Sequence, residues 1–272
     1  MKKLSTYLLV VLFAAVLGAC TTSPTGRSRL LLISPQDAIV ESQKAYVATV
    51  RKLNQENKLL DDPVLADRVR VITGRLVAEA IAKYPHSAGW QWSVALIDEP
   101  ETINAWCMAG GRMAVYNGLF EKLGLTDAEF AQIMGHEISH ALADHTAERM
   151  SVALATQTGL AVAGTLLTNN SAILDNAALA ANLAIGLPNS RIAEIEADQI
   201  GLELASRAGY DPLAAISLWE KMKQAGGGGL PAFLSTHPSP SNRSATLAAL
   251  APQMRPLMRT GFGPPHPVRI LP

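Results

Sequence analysis

Residues 135–145 read GHEISHALADH, and the fold turns on them. They hold three of the six histidines in a chain of 272 residues. Upstream, Thr126-Asp127-Ala128-Glu129 has the form of a helix start, a hydroxyl cap with a glutamate three residues later. Ile133, Met134, Ile138, Ala141 and Leu142 recur among the polar positions, so a helix is predicted from Thr126 to about Met150. Each helical residue turns about 100°, which leaves His136 and His140 about 40° apart on one face. Two imidazoles one turn apart can bind one zinc ion, and Glu137 beside the first can take a proton from an attacking water. His145 falls about 180° from His136 on a straight helix and is excluded as a ligand.

A catalytic zinc needs a third protein ligand and one open position. SRIAEIEADQIG, residues 190–201, supplies three acids on a second predicted helix capped by Asn189 or Ser190 and stopped by Gly209. These acids suit either a solvated face or a metal site. In the second case the economical arrangement puts Glu194 on the metal. Asp198, on the same face, then steadies a ligand histidine through its distal N–H. Glu196 lies about 200° from Glu194 and is expected to point away.

HEISH, SRIAEIEAD and STHPSPSNR (residues 235–243) together resemble the M48 family of zinc metallopeptidases, over about residues 35–255. The resemblance implies an α+β fold: a mainly helical, zincin-like metallopeptidase domain with a small β-sheet beside the HExxH helix. It implies one Zn2+ per chain, held by His136, His140 and Glu194, with Glu137 as the catalytic base. It implies a supporting role for Asp198, an oxyanion-steadying role for His237, and a match of Arg243 to a recurrent arginine. NAWCMAGGRMAVYNGLF, residues 104–120, resembles the family's substrate-holding strand, which makes Ala109, Gly110, Gly111 and Arg112 candidate substrate-binding residues. Ser239 stands where many members carry a second proline.

The flanks are read from composition and local signals. MKKLSTYLLVVLFAAVLGAC has a basic start, a short apolar run and a Leu17-Gly18-Ala19-Cys20 ending, which resembles a bacterial lipobox. Residues 1–19 are therefore expected to be a lipoprotein signal peptide and Cys20 the lipidated residue. Thr22 two places later is expected to leave the protein in the outer membrane, facing the periplasm. Residues 20–34 are expected to be a lipid-anchored tether, 35–258 the peptidase domain and 259–272 an irregular tail. Helices are expected after Ser34 and from Asp62 to Pro85, a strand at 91–97, and a buried or lid-forming helix at 151–167. GGGG at 226–229 is expected to be a flexible link, and a last helix to lie near 241–258.

Hydrophobic residues make up 49% of the chain and charged residues 17%, enough apolar material for a sizeable core. The net charge is zero, and Lys2 and Lys3 are the only charges in the first nineteen residues, so the remainder carries −2. Without a concentrated basic face, no nucleic-acid partner is expected. Cys107 has no second cysteine to pair with once Cys20 is lipidated, and reads as a small buried hydrophobe. The expected partners are extended or unfolded envelope proteins, the membrane, and the outer-membrane assembly machinery. The rival reading is a zinc-dependent chaperone or assembly factor whose site is covered by residues 151–188.

Overall fold

The computed structural model describes residues 20–165, 189–225, 232–237 and 243–271. The signal-like segment 1–19, residues 166–188 of the expected lid and the glycine run 226–229 lie outside the described residues. The fold is α+β, mainly helical, with a small mixed sheet against the HExxH helix.

A hairpin of β1 (Cys20–Thr22) and β2 (Ser28–Leu30) opens the described chain. Helix α1 (Pro35–Gln55) starts on Ser34, whose side chain accepts from the Asp37 amide, and α2 (Pro63–Lys83) starts on Asp62 in the same way. Both carry proline in the first turn, where no intrahelical N–H is needed. Strands β3 (Ser93–Ile97), β4 (Ala105–Met108) and β5 (Arg112–Tyr116) follow. The chain then forms α3 (Gly118–Leu123), α4 (Asp127–Leu142), α5 (His145–Thr165), α6 (Arg191–Arg207), α7 (Ala214–Ala225), α8 (Ala232–Thr236), α9 (Arg243–Met254) and β6 (Arg269–Leu271).

The sheet order is β4-β5-β3-β6. β4 and β5 form an antiparallel hairpin, and β3 runs parallel to both β5 and β6. Strand alternation splits its side chains between two cores. Val94, Leu96, Met113 and Val115 join the large core with residues of α2, α4 and α6, whereas Ala95, Ile97, Trp106, Met108 and Ala114 pack with Tyr46 of α1. The sheet is thereby covered on both faces, which leaves β4 and β6 as its edges.

Three expectations need correction. The predicted helix to Met150 breaks after Leu142: Asp144 takes a left-handed φ of 54°, and α5 departs from His145 in a new direction. An aspartate tolerates that conformation, and no glycine or proline marks the break in the sequence. Residues 20–34 do not form a bare tether, because the β1–β2 hairpin docks on α5 and α6 through Arg27 and Arg29. Its partners, Asp144, Glu148 and Glu196, lie more than a hundred residues away. The tail is not irregular throughout, since Arg269–Leu271 pairs in register with Ser93–Ala95. On the way it crosses α2, where Gly74 leaves room for the chain: a Cβ there would meet His266 O at 2.6 Å. Among the described residues no helix is long and apolar enough to cross a membrane.

Candidate metal centre

Helix α4 is fixed at its start by a reciprocal cap: the Glu129 amide donates to Thr126 Oγ1 at 3.2 Å, and the Thr126 amide to Glu129 Oε2 at 2.9 Å. α6 starts on Ser190, whose hydroxyl oxygen accepts from the Ala193 amide at 3.1 Å. The two helices cross at a pair of glycines. A Cβ on Gly135 would stand 2.9 Å from Gly201 O, and one on Gly201 would stand 2.8 Å from His136 N. That close approach brings the histidines of α4 onto the carboxylates of α6.

His136 Nε2 and His140 Nε2 are 3.0 Å apart. Glu194 places Oε2 3.3 Å from the first and Oε1 3.3 Å from the second. His237 Nδ1 lies 3.1 Å from Glu194 Oε1 and 3.2 Å from His136 Nε2. All four residues are buried, and their ligand atoms lie within 4.8 Å of one another.

The donor set fits zinc. Tetrahedral bonds of about 2.0–2.1 Å put donors roughly 3.3 Å apart, close to the separations here. His136 Nδ1 lies 3.0 Å from Asp198 Oδ1, so its proton belongs there, and Nε2 is left as a lone pair facing a buried carboxylate. Acceptors gathered in this way call for a cation. Burial opposes charge on His136, but the Glu194 carboxylate and the Asp198 hydrogen bond outweigh it and carry the pKa up to about 9. At His140 burial, with the neighbouring His136 and His145, outweighs the pull of Glu194 and holds it well below the ordinary histidine value. Glu194, although desolvated, is held far below the carboxylate range by the two histidines.

Glu137 is 2% exposed and its Oε1 makes no hydrogen bond, although His237 Nε2 lies 3.3 Å away. Desolvation pushes its pKa up, against the pull of His237 and His136 and of the Cys107 backbone N–H. Arg243 donates to Glu194 Oε2 at 3.1 Å and to Asp198 Oδ1 at 2.6 Å, while its guanidinium lies 3.8 Å over the Trp219 ring. It therefore fixes the orientation of both carboxylates. The geometry thus brings together His136, Glu137, His140, Glu194, Asp198, His237 and Arg243.

His237, expected to steady an oxyanion, also joins the group, with its Nδ1 a fourth possible donor. Asn189 Nδ2 lies 3.4 Å from the same nitrogen, and Arg149 donates to Asn189 Oδ1. Neither residue stood out in the sequence beyond the helix-cap reading of Asn189.

The expected substrate residues are not among the four donors. Ala109, Gly110 and Gly111 make the β4–β5 turn, and both glycines adopt positive φ, 83° and 80°. Arg112 belongs to an inner strand, and its guanidinium donates to Gln43 at 2.7 Å and to Ser93 at 3.1 Å. β4 is an edge strand of the sheet, and all four of its residues are buried. Tyr116 N donates to Asn104 O and Gly111 N to Met108 O, so even-numbered residues pair inward and Ala105 and Cys107 turn their backbone groups outward. His145 is outside the ligand group and, at the start of α5, lies beside His140, with the two Nδ1 atoms 2.8 Å apart. Glu196 does point away from the group, but into a buried contact rather than solvent.

Comparison with known proteins agrees with this geometry. A sequence model described as peptidase family M48 matches residues 63–251. The mitochondrial metalloendopeptidase OMA1 of Arabidopsis thaliana is 36% identical over 200 residues, covering 74% of this chain and 39% of the plant protein. The mitochondrial metalloendopeptidase OMA1 of Bos taurus is 32% identical over 257 residues, 89% of this chain and 47% of its own length. The beta-barrel assembly-enhancing protease of Escherichia coli (strain K12) is 33% identical over 220 residues, 77% of this chain and 43% of its own. The chain spans less than half the length of each of these relatives. The matched span contains both helices that carry the histidine and carboxylate donors, together with His237 and Arg243, and on that ground the chain belongs to peptidase family M48, a family of zinc metallopeptidases.

Proposed function

We propose that this protein is a zinc metalloendopeptidase of the bacterial cell envelope, lipid-anchored at Cys20, that cleaves unfolded or misassembled outer-membrane and periplasmic proteins. The observation that carries the peptidase reading is Glu137, a buried carboxylate with an unbonded oxygen beside a four-donor group. A purely structural metal site has no use for such a group. The envelope assignment rests on the Lys2-Lys3 start, the Leu17-Gly18-Ala19-Cys20 ending, and the named role of the beta-barrel assembly-enhancing protease relative.

In this reading His136, His140 and Glu194 hold the ion, with Asp198 and Arg243 keeping the ligands in orientation. Zinc supplies Lewis-acid polarisation of the scissile carbonyl and acidifies a water. Glu137 would take the proton of an attacking water and return it to the leaving amine, a task its burial-raised pKa suits. The edge strand β4, where Ala105 faces outward in the pairing pattern, would align an extended substrate as an added strand, which restricts the substrate to unfolded or flexible chain. His237, beside Glu137 and Glu194, would face the developing oxyanion once the substrate occupies the site.

The closed four-donor arrangement also favours a second reading, a zinc-dependent chaperone or assembly factor with a silent site. A cleavage assay on casein and an unfolded porin, with wild type beside Glu137→Gln, separates the two. The protease reading expects Glu137→Gln to keep zinc and lose cleavage by about 10²–10⁴-fold. Absence of cleavage in both forms, with aggregation still suppressed, overturns it for the chaperone.

A further inference from the structure

The metal group has a second supporting chain besides Asp198, and it leads out to the N-terminal hairpin. His140 Nδ1 lies 2.8 Å from His145 Nδ1, and His145 Nε2 lies 3.1 Å from Glu196 Oε2. His145 is 1% and Glu196 3% exposed, so water does not compete for either contact. One proton arrangement satisfies every atom. His140 donates from Nδ1 to His145 Nδ1, His145 donates from Nε2 to Glu196, and His140 Nε2 is left bare for the ion.

Glu196 is held in turn from the hairpin. Thr25 Oγ1–H donates to Glu196 Oε1 at 2.7 Å and Arg27 Nε–H to Oε2 at 3.0 Å. The other side of the Arg27 fork grips Glu148 of α5 through two bonds, at 2.7 and 2.6 Å. Arg29 on β2 donates to Asp144 at 2.8 Å and to the Ala143 carbonyl, at the break that turns His145 back toward His140. His145 and Glu196 are buried, Arg27, Arg29, Asp144 and Glu148 partly buried and Thr25 exposed, and Glu196 is the one acid of SRIAEIEAD that the metal group leaves unused.

We propose that His145 and Glu196 form a positioning relay for the zinc ligand His140, and that the 20–30 hairpin, through Thr25 and Arg27, is its outer end. The segment just after Cys20 thereby sets the orientation of a metal ligand, and loosening the hairpin loosens the ion. This rests on the zinc-site reading above and extends it to two residues and a segment that take no part in the proposed reaction.

The test measures zinc affinity by competition with a chromophoric chelator, and the visible spectrum of the cobalt-substituted protein. The variants are Glu196→Ala, Glu196→Gln, His145→Ala and Arg27→Gln, and Thr126→Ala serves as control. Removing such an outer partner weakens metal binding by about 10–100-fold. The relay predicts that loss for Glu196→Ala and His145→Ala, a smaller loss for Arg27→Gln, and partial rescue by Glu196→Gln, which keeps an acceptor. It also predicts an altered cobalt spectrum. Thr126→Ala destabilises the same helix at its far end and leaves affinity and spectrum unchanged. Variants that bind zinc as tightly as wild type with an unchanged cobalt spectrum overturn the relay and leave the protease reading standing. A wild type that binds no zinc overturns the protease reading itself.

Discussion

Gly135 and Gly201 meet backbone to backbone where α4 crosses α6, and a Cβ on either would stand within 3 Å of the other helix's main chain. Helices pack 8–10 Å apart when side chains separate them, and small residues at a crossing let them come closer. The histidines of one helix and Glu194 of the other share an ion-sized space because of this contact.

Gly201→Ala is therefore expected to push the helices apart. Overpacking of this kind costs about 1–3 kcal/mol. The thermal midpoint falls, and zinc affinity falls with it because the donors move out of register. A Gly201→Ala protein with wild-type stability and wild-type zinc affinity would show that the crossing yields without cost.

Glu194→Ala is expected to abolish stoichiometric zinc binding, whereas Glu137→Gln keeps it. Metal content of the purified proteins decides this. Zinc retained at one per chain in Glu194→Ala would remove Glu194 from the ligand set.

Glu129 links stability to pH. Its burial by itself favours the neutral form, but Lys221 at 2.7 Å, the Thr126 amide and the Ser217 hydroxyl outweigh that and hold its pKa below the usual value. A carboxyl depressed in the folded state contributes stability above its unfolded pKa of about 4.3, and the contribution disappears as pH falls through the lower folded value. The difference in thermal midpoint between wild type and Glu129→Gln should be full at pH 7 and shrink below about pH 4. A difference that grows in acid would reverse the sign.

Thr126→Ala removes the cap of the same helix and should cost about 1 kcal/mol without changing metal content. Urea denaturation of the two proteins measures it. A neutral result would mean that Glu129, bonded to Lys221 and Ser217, holds the helix start alone.

Cys107 should be inert. Burial, with the Glu137 charge second, raises its thiol well above the ordinary value, so almost no thiolate exists at pH 8. A disulfide reagent should label it only on unfolding, at the rate at which far-UV circular dichroism is lost. Rapid labelling of the native protein would show that the β4 edge opens.

The helices that carry the donors were legible because their signals are local. A cap, an apolar period and an i, i+4 pair of histidines lie within one stretch of chain, and helix geometry alone puts His136 beside His140. The break at Asp144 was not legible, since no glycine or proline marks it and the arginine that contacts Ala143 and Asp144 is distant in the chain. Strand β6 was invisible for a related reason: three residues are too few to show alternation, and β3 alone supplies their register.

The sequence by itself determined the family, the α+β class, and which residue types could hold an ion, because each follows from spacing along one helix or from a motif. Only the tertiary structure decided which donors meet. It put His237 inside the ligand group and joined Thr25 and Arg27 to Glu196 across about 170 residues. Contacts over such separations depend on where helices cross and where chains reverse, and no period or propensity within the sequence encodes those distances.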